Sequence, residues 1–563
     1  MTSLTRRGVI VSDFNASSLA SCLKSHEDGP AVETVMAPFG QVMPALLNAD
    51  LPCWHGNPEF AVVWTQPQSV IESFGDALRY QPVSVERILT DVDAYASLLV
   101  GLRERVNFVL VPTWVAPSFH RDFGLLDMKT GLGMTNTLMR MNLRLVDNLE
   151  KWSHTYVLDS QRWLEAAGVH AYSPKLWYMG KIPFGNDVFI EATKDIKATL
   201  SGLYGESKKL VLLDLDDTLW GGIVGEVGWS RLTLGGHDPA GEAYADFQRA
   251  LKALTCRGVL LGIVSKNEEA VALEAIRRHP EMVLRIEDFA GWRINWQDKA
   301  ANILDLVKSL NLGLQSVVFL DDSPVERARV REALPEVLVP EWPDDKRLYA
   351  RAVRSLRCFN PPSITQEDMH RSRMYQSERH REESKRDMVS MEEWLKTLGI
   401  TVKVEVLGES NLQRVAQLLN RTNQMNLTTR RMPEAELFRW AQAPHRRLWA
   451  FRVSDRFGDS GITGILSLEI QDLTGTIVDF VLSCRVMGRK IEEAMLYRAV
   501  HYARSKGLTD VRARFFPTEM NKPCLDFWLR SGFIYRATDN EFWWDVKNHY
   551  PNSESIMLDG DWA

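Results

Sequence analysis

Two aspartates one residue apart close an apolar run in Lys209-Leu-Val-Leu-Leu-Asp214-Leu-Asp216-Asp217-Thr218-Leu-Trp220. In a parallel sheet, ligands bind at the carboxyl ends of strands, which is where such a pair would stand. Asp214 can attack phosphorus and ligate a metal, while Asp216 protonates the leaving oxygen and then activates water. An anionic nucleophile approaching an anionic phosphoryl group calls for a divalent cation, and Mg2+ is the expected one. Three later segments supply what remains. The run Gly258-Val-Leu-Leu-Gly-Ile-Val ends in Ser265-Lys266-Asn267, and Lys299 opens a helical stretch. Ser316-Val-Val-Phe-Leu320 ends in Asp321-Asp322. The expected metal carboxylates are Asp214, Asp216, Asp321 and Asp322; Ser265 and Lys299 join Asp214 and Asp216 in catalysis. Thr218 and Asn267 are candidates for holding the substrate. Any one of these pieces is commonly structural, but four in order at strand or helix ends are hard to obtain by chance.

A second constellation lies near residue 484. The strand-like run Thr476 to Cys484 leads into Arg485-Val-Met-Gly488-Arg489-Lys490 and then a long helical stretch from about Ile491. A strand, a basic glycine-containing loop and a helix N-terminus form an anion-binding arrangement, with Arg485, Gly488 and Arg489 as contacts. The same surroundings favour the thiolate of Cys484, although a buried cysteine is more often a small hydrophobe. His501, on the same helical stretch, is a candidate base but more often such a histidine is incidental.

The elements that must position these groups alternate between strand and helix. In residues 1–204 strand-like runs (8–14, 60–65, 106–114, 154–159) alternate with helical ones. In 205–359 the order is strand 209–215, helix 241–256, strand 258–264, helix 268–278, helix 298–310, strand 316–320, which predicts a parallel sheet with crossover helices. Residues 360–395 carry interleaved charges and read as an exposed helical linker, ending in a capping box at Ser390 to Glu393 and a stop near Gly399. The last domain, 396–563, has strands near 400–406, 447–453, 462–470 and 475–484, a helix at 491–506 and a strand at 509–515. With 563 residues, two to four domains are expected. A net charge of -6 gives no basic surplus for nucleic acid. Six scattered cysteines without a CxxC pair fit a reducing cytoplasm. The apolar runs are strand-sized, so a soluble cytoplasmic protein without a membrane span is expected.

The aspartate segments resemble the haloacid dehalogenase (HAD) phosphatase superfamily, whose four motifs align with Asp214/Asp216, Ser265, Lys299 and Asp321/Asp322. That resemblance implies an aspartyl-phosphate mechanism on a Rossmann-like domain. The short insertions after Asp216 and after Ser265 imply a capless member. The longer strings DLDDTLWGGIVGEVG, SKNE, INWQDK and FLDDSPVER, with NRTNQMNLTTRRM and SCRVMGRKIE, are similar to the FkbH-like proteins of polyketide biosynthesis. These are glyceryl transferase/phosphatases. The resemblance implies D-1,3-bisphosphoglycerate as substrate and the phosphopantetheine thiol of an acyl carrier protein as acceptor; from its surroundings Cys484 is the candidate acyl relay. Asn423 and Gln424, with Asn426, would bind the hydroxy acid or the pantetheine amides, or simply cap a loop. Residues 484–491 and the Asn521 to Phe533 segment resemble the GNAT acyltransferases, with Lys490 departing from the usual small residue. The first domain resembles a degenerate SGNH hydrolase: Asp13-Phe14 stands where Asp-Ser would be, and Trp177 to Gly180 replaces an Asp-x-x-His pair. The overall fold class is therefore multidomain α/β. Alternatives are a phosphatase on a phosphoprotein or small phosphoester, or a non-catalytic carrier-docking protein.

Overall fold

The computed structural model describes residues 5–116, 123–152, 154–236, 238–362, 364, 381 and 390–560. Most of the predicted 360–395 linker lies outside the described residues. The chain divides into two compact units, Met1–Ser201 and Gly202–Ala563.

In the first unit, β1 (Arg6–Val11), β2 (Val32–Met36), β3 (Phe60–Val63), β4 (Phe108–Pro112) and β5 (Thr155–Leu158) form a parallel sheet in the order β2-β1-β3-β4-β5. Strands β3 and β4 are buried along their whole length, as expected where helices cover both faces. Phe14 is 1% exposed and meets Trp64 and Phe184 edge-on at 5.5 and 5.8 Å. The position read as a lost nucleophile is thus a core aromatic. Beside it, the Asp13 carboxylate accepts a hydrogen bond from the Gln66 amide, 2.8 Å.

The second unit holds two sheets. Four parallel strands, β6 (Leu210–Leu213), β7 (Leu260–Ser265), β8 (Phe289–Ile294) and β9 (Val317–Leu320), run in the order β8-β7-β6-β9. Leu213 is in register with both Ile263 and Leu320, which puts residues 214, 265 and 321 near one level of the sheet. Apolar side chains pack on both faces. The helix Pro239–Thr255 is capped by Asp238, which accepts from the Gly241 amide at 3.0 Å. Asp298 caps Lys299–Ser309 in the same way through Ala301. Both caps satisfy first-turn amides that lack helical partners.

The second sheet has eight strands in the order β15-β16-β14-β13-β12-β11-β10-β17. They are β10 (Ile400–Val406), β11 (Arg446–Asp455), β12 (Gly458–Gln471), β13 (Thr474–Leu482), β14 (Asp510–Arg514), β15 (Ile534–Arg536), β16 (Glu541–Asp545) and β17 (Ile556–Gly560). The helix Met391–Leu398 is capped by Ser390 and stops at left-handed Gly399, as read from the sequence. Its Trp394, Leu395 and Leu398 belong to the core of this sheet, so it packs with the last domain rather than ending a linker. Arg381 is also anchored here, by a two-pronged pair with the buried Asp455 at 2.6 and 2.7 Å.

Strands β13 and β14 pair in parallel from Thr474↔Asp510 to Ile477↔Ala513 and then separate. The chain itself fills the gap. The Leu427 amide donates to the Phe480 carbonyl, the Leu482 amide to the Met425 carbonyl, and the Phe516 amide to the Leu427 carbonyl, at 3.0–3.1 Å. Asn521, fully buried, donates to the Asn426 carbonyl at 3.0 Å and fixes the insert from behind.

Candidate functional site: a carboxylate–lysine centre and a basic cleft

Asp214 and Asp321 follow β6 and β9 directly, so the fully buried strands deliver both carboxylates to one edge of the sheet. Lys299, in the first turn of its helix, lies between them: Nζ is 2.6 Å from Asp321 Oδ2 and 3.0 Å from Asp214 Oδ2. Lys299 is 3% exposed and Asp321 is fully buried. Burial works against the lysine's charge, but Asp214 and Asp321 outweigh it and hold its pKa above the ordinary value. Burial, with the Asp214 charge added, pushes the Asp321 carboxyl up to about 6.

Carboxylate oxygens of Asp214, Asp321 and Asp322 all lie within 4.8 Å of one another. Asp214 Oδ1 is buried with no hydrogen-bond partner among the described residues. Three hard oxygen donors and an unsatisfied buried carboxylate oxygen suit a small divalent cation such as Mg2+. The Asp216 side chain is not in this cluster, contrary to the sequence expectation that it ligates the metal. Its Oδ1 accepts from Trp220 Nε1 (2.8 Å) and the Val224 amide (3.0 Å), and its Oδ2 from Asn267 Nδ2 (2.8 Å). Burial raises its pKa against those bonds, which suits a proton donor. Asn267 therefore orients Asp216. Asp216 thereby ties down the glycine-rich stretch 220–225.

Thr218 also serves the cluster. Its hydroxyl donates to Asp322 Oδ1 (3.2 Å) and accepts from the Asp322 amide (3.0 Å). Ser265 ends β7 and is 1% exposed, in the strand next to Asp214. Two basic residues not singled out in the sequence complete the centre. Arg327 donates to the Asp321 and Asp322 carbonyls at 2.8 and 2.7 Å. Lys346 donates to the Asp217 carbonyl (2.8 Å) and reaches Asp322 at 3.5 Å. Arg327 lies one turn beyond the Asp-Asp-Ser-Pro stop, a spacing that could have flagged it.

Around Cys484 the arrangement differs from expectation. The Gly488 amide donates to Glu492 Oε1 at 2.8 Å, so the chain's own carboxylate takes the place offered to an anion. Arg489, 3% exposed, turns inward to the Arg485 carbonyl (2.7 Å). Lys490 takes left-handed backbone, φ 67°. Gly488 and Arg489 are thus spent on the loop itself. His501 is exposed and lies against the Tyr497 ring at 5.8 Å. Asn426 is fully buried, with its oxygen accepting from the Thr428 and Thr429 amides.

Cys484, Arg485, Asn423 and Gln424 do come together, in a cleft of about 110 Å³ that also takes in Lys209 and Gln315. Asn423 Nδ2 donates to the Gly205 carbonyl at 3.2 Å, linking the cleft's two walls.

The second unit is thus a mixed α/β assembly whose four-stranded parallel sheet carries a carboxylate–lysine centre at its carboxyl edge. No protein-family model matches the chain, and no curated protein matches it. Among solved structures it is similar to the N-terminal part of the protein BF1531 from Bacteroides fragilis, described as containing a phosphatase domain and complexed with Mg. The identity is 26%, over 64% of this chain and 95% of that one, with a TM-score of 0.58. Two acetyltransferases also align: the ribosomal-protein-S18-alanine N-acetyltransferase from Escherichia coli (11% identity, 26% of this chain, 94% of that one, TM-score 0.20) and the spermidine N-acetyltransferase SpeG from Vibrio cholerae (15%, 27%, 98%, 0.21). Among the described residues, no helix is long and apolar enough to cross a membrane.

Proposed function

We propose that the chain is an FkbH-like enzyme with two activities, an Mg2+-dependent aspartate phosphatase and a glyceryl transferase. It would take D-1,3-bisphosphoglycerate and load its glyceryl group on the phosphopantetheine thiol of an acyl carrier protein. The observation that carries the phosphatase half is the meeting of Asp214, Lys299, Asp321 and Asp322 at the carboxyl ends of β6 and β9. The likeness to a phosphatase domain complexed with Mg supports the same half. The transfer half rests on the motif resemblance and on Cys484 lining a polar cleft.

In the phosphatase reaction Asp214 attacks phosphorus, and the bond to the ester oxygen breaks as Asp216 gives that oxygen a proton. Asp216 then takes a proton from water, which displaces phosphate and restores the Asp214 carboxylate. Asp214, Asp321 and Asp322 would hold Mg2+, which when bound supplies charge neutralisation for the phosphoryl oxygens. Lys299, bonded to both, holds the Asp214 and Asp321 carboxylates in line. In the transfer reaction the Cys484 thiolate attacks the acyl-phosphate carbonyl and expels inorganic phosphate. The carrier thiol then takes the acyl group, freeing Cys484. An acyl phosphate is already activated, so this step needs no nucleotide.

The test is to weigh holo carrier proteins intact after incubation with the enzyme, magnesium and bisphosphoglycerate. Wild type is expected to add a glyceryl mass. Asp214→Asn is expected to leave a phosphoglyceryl mass, and Cys484→Ala none. A carrier that stays unmodified with wild type, or equal loading by Cys484→Ala, overturns the transfer reading; full phosphate release by Asp214→Asn overturns the phosphatase one.

A further inference from the structure

The cleft containing Cys484 has a charge pattern that the carboxylate centre does not explain. Lys209, Arg414, Arg421 and Arg485 line it, against one acidic residue, Glu206. The cations come from three separate stretches of chain, so their convergence is a property of the fold. They are also held in place. Arg414 donates to the Ile462 carbonyl (3.3 Å) and to Gln417, and Arg485 donates to Ser483 Oγ (3.2 Å). Amide and hydroxyl side chains such as Asn423, Gln424 and Ser207 fill the remaining wall. A volume of about 110 Å³ is several times what one water needs and suits a small molecule rather than a peptide.

The cleft is also distant from the phosphatase centre. Lys209 and Gln315 precede β6 and β9, whereas Asp214 and Asp321 follow them. Five residues of extended chain, at about 3.3 Å each, put Lys209 and Asp214 about 16 Å apart. A three-carbon compound cannot reach from one to the other.

We propose that this cleft is a second, independent phosphate-binding site, for a small phosphorylated hydroxy acid whose carbonyl then lies at Cys484. Guanidinium and ammonium groups give charge-assisted bonds to phosphate, and the amides answer the hydroxyl. Only the identity of the natural ligand rests on the function proposed above. The separation has a chemical consequence: the ester phosphate is held here while the acyl group is transferred, and is removed afterwards, at the other end of β6.

The experiment measures the rate at which iodoacetamide labels Cys484 in the full chain, in chelator, by peptide mass spectrometry. Exposed Cys256, outside the cleft, is the internal control. The probe is 3-phosphoglycerate, with glycerol as the uncharged comparison. Expected is that 3-phosphoglycerate slows labelling of Cys484 but not Cys256, that glycerol does not, and that Lys209→Gln/Arg421→Gln raises the half-protecting concentration about tenfold or more. Asp214→Asn should protect as wild type does. Equal effects of glycerol and 3-phosphoglycerate on wild type would overturn the site without any variant, as would unchanged protection in a folded double variant. Protection that persists when no glyceryl reaches a carrier sinks the transfer reading and leaves this site standing.

Discussion

Replacing Lys299 by methionine isolates the electrostatics of the carboxylate–lysine centre, because the side chain keeps most of its length and loses its charge. Lys299 is 3% exposed and bridges Asp214 and Asp321 at 3.0 and 2.6 Å. Removing one partner of a buried ion pair costs about 3–5 kcal/mol, because the charge left behind has neither water nor counter-ion. Asp321 can relieve part of this by binding a proton, since burial already pushes its carboxyl up to about 6. The lower end, about 3 kcal/mol, is therefore expected at neutral pH. Hydrogen exchange of the full chain in chelator reads this locally. Peptides covering Leu210–Leu213 and Val317–Leu320 should exchange about a hundredfold faster, since each 1.36 kcal/mol is a decade. Peptides of Thr474–Leu482, in the other sheet, should not change. Adding Asp321→Asn to Lys299→Met should restore part of the loss, with a coupling of about 1–3 kcal/mol. Protection of β6 and β9 in Lys299→Met within threefold of wild type would refute this account of the centre.

Glu492 gives a pH-dependent prediction. Burial raises its carboxyl from 4.5 to about 7. The unfolded chain releases this proton near 4.5 and the folded chain holds it, so stability falls as pH rises from 4.5 to 7, by up to about 3 kcal/mol. Glu492→Gln, unable to ionise, should melt above wild type at pH 8 and lose that advantage at pH 4.5; identical pH trends in the two proteins would contradict this. In the first unit, Phe14→Ser should cost about 3–5 kcal/mol, as truncating a core phenylalanine does, measured as a lower melting transition. The same variant should show no hydrolysis of a p-nitrophenyl ester, because a core cavity rather than a nucleophilic site is what the serine enters.

The carboxylate–lysine centre was legible because each of its pieces ends a strand or opens a helix, and each strand is an unbroken apolar run. Strands β6, β7 and β9 fall within two residues of their predicted limits at either end. The edge strand Val32–Met36, with a mixed burial pattern, gave no such run. Around Cys484 the motif spacing was visible but its use was not. Glu492, one turn after Gly488, carries the signal that the loop amide has a partner within the chain, and only the fold shows that the bond forms. The cleft itself joins residues 205–209, 311–316, 414–424 and 482–485, and no local pattern foretells such a junction. The direction of the Asp216 side chain was not legible, because sequence spacing cannot tell a carboxylate aimed at a metal from one aimed at Trp220.

The insert Met425–Leu427 between β13 and β14 bears on selectivity. An extended arm entering that gap by strand addition would compete with a rival that never diffuses away. A segment tethered by short loops is present at an effective concentration on the order of millimolar. A freely diffusing strand present below that level is therefore kept from this edge of β13.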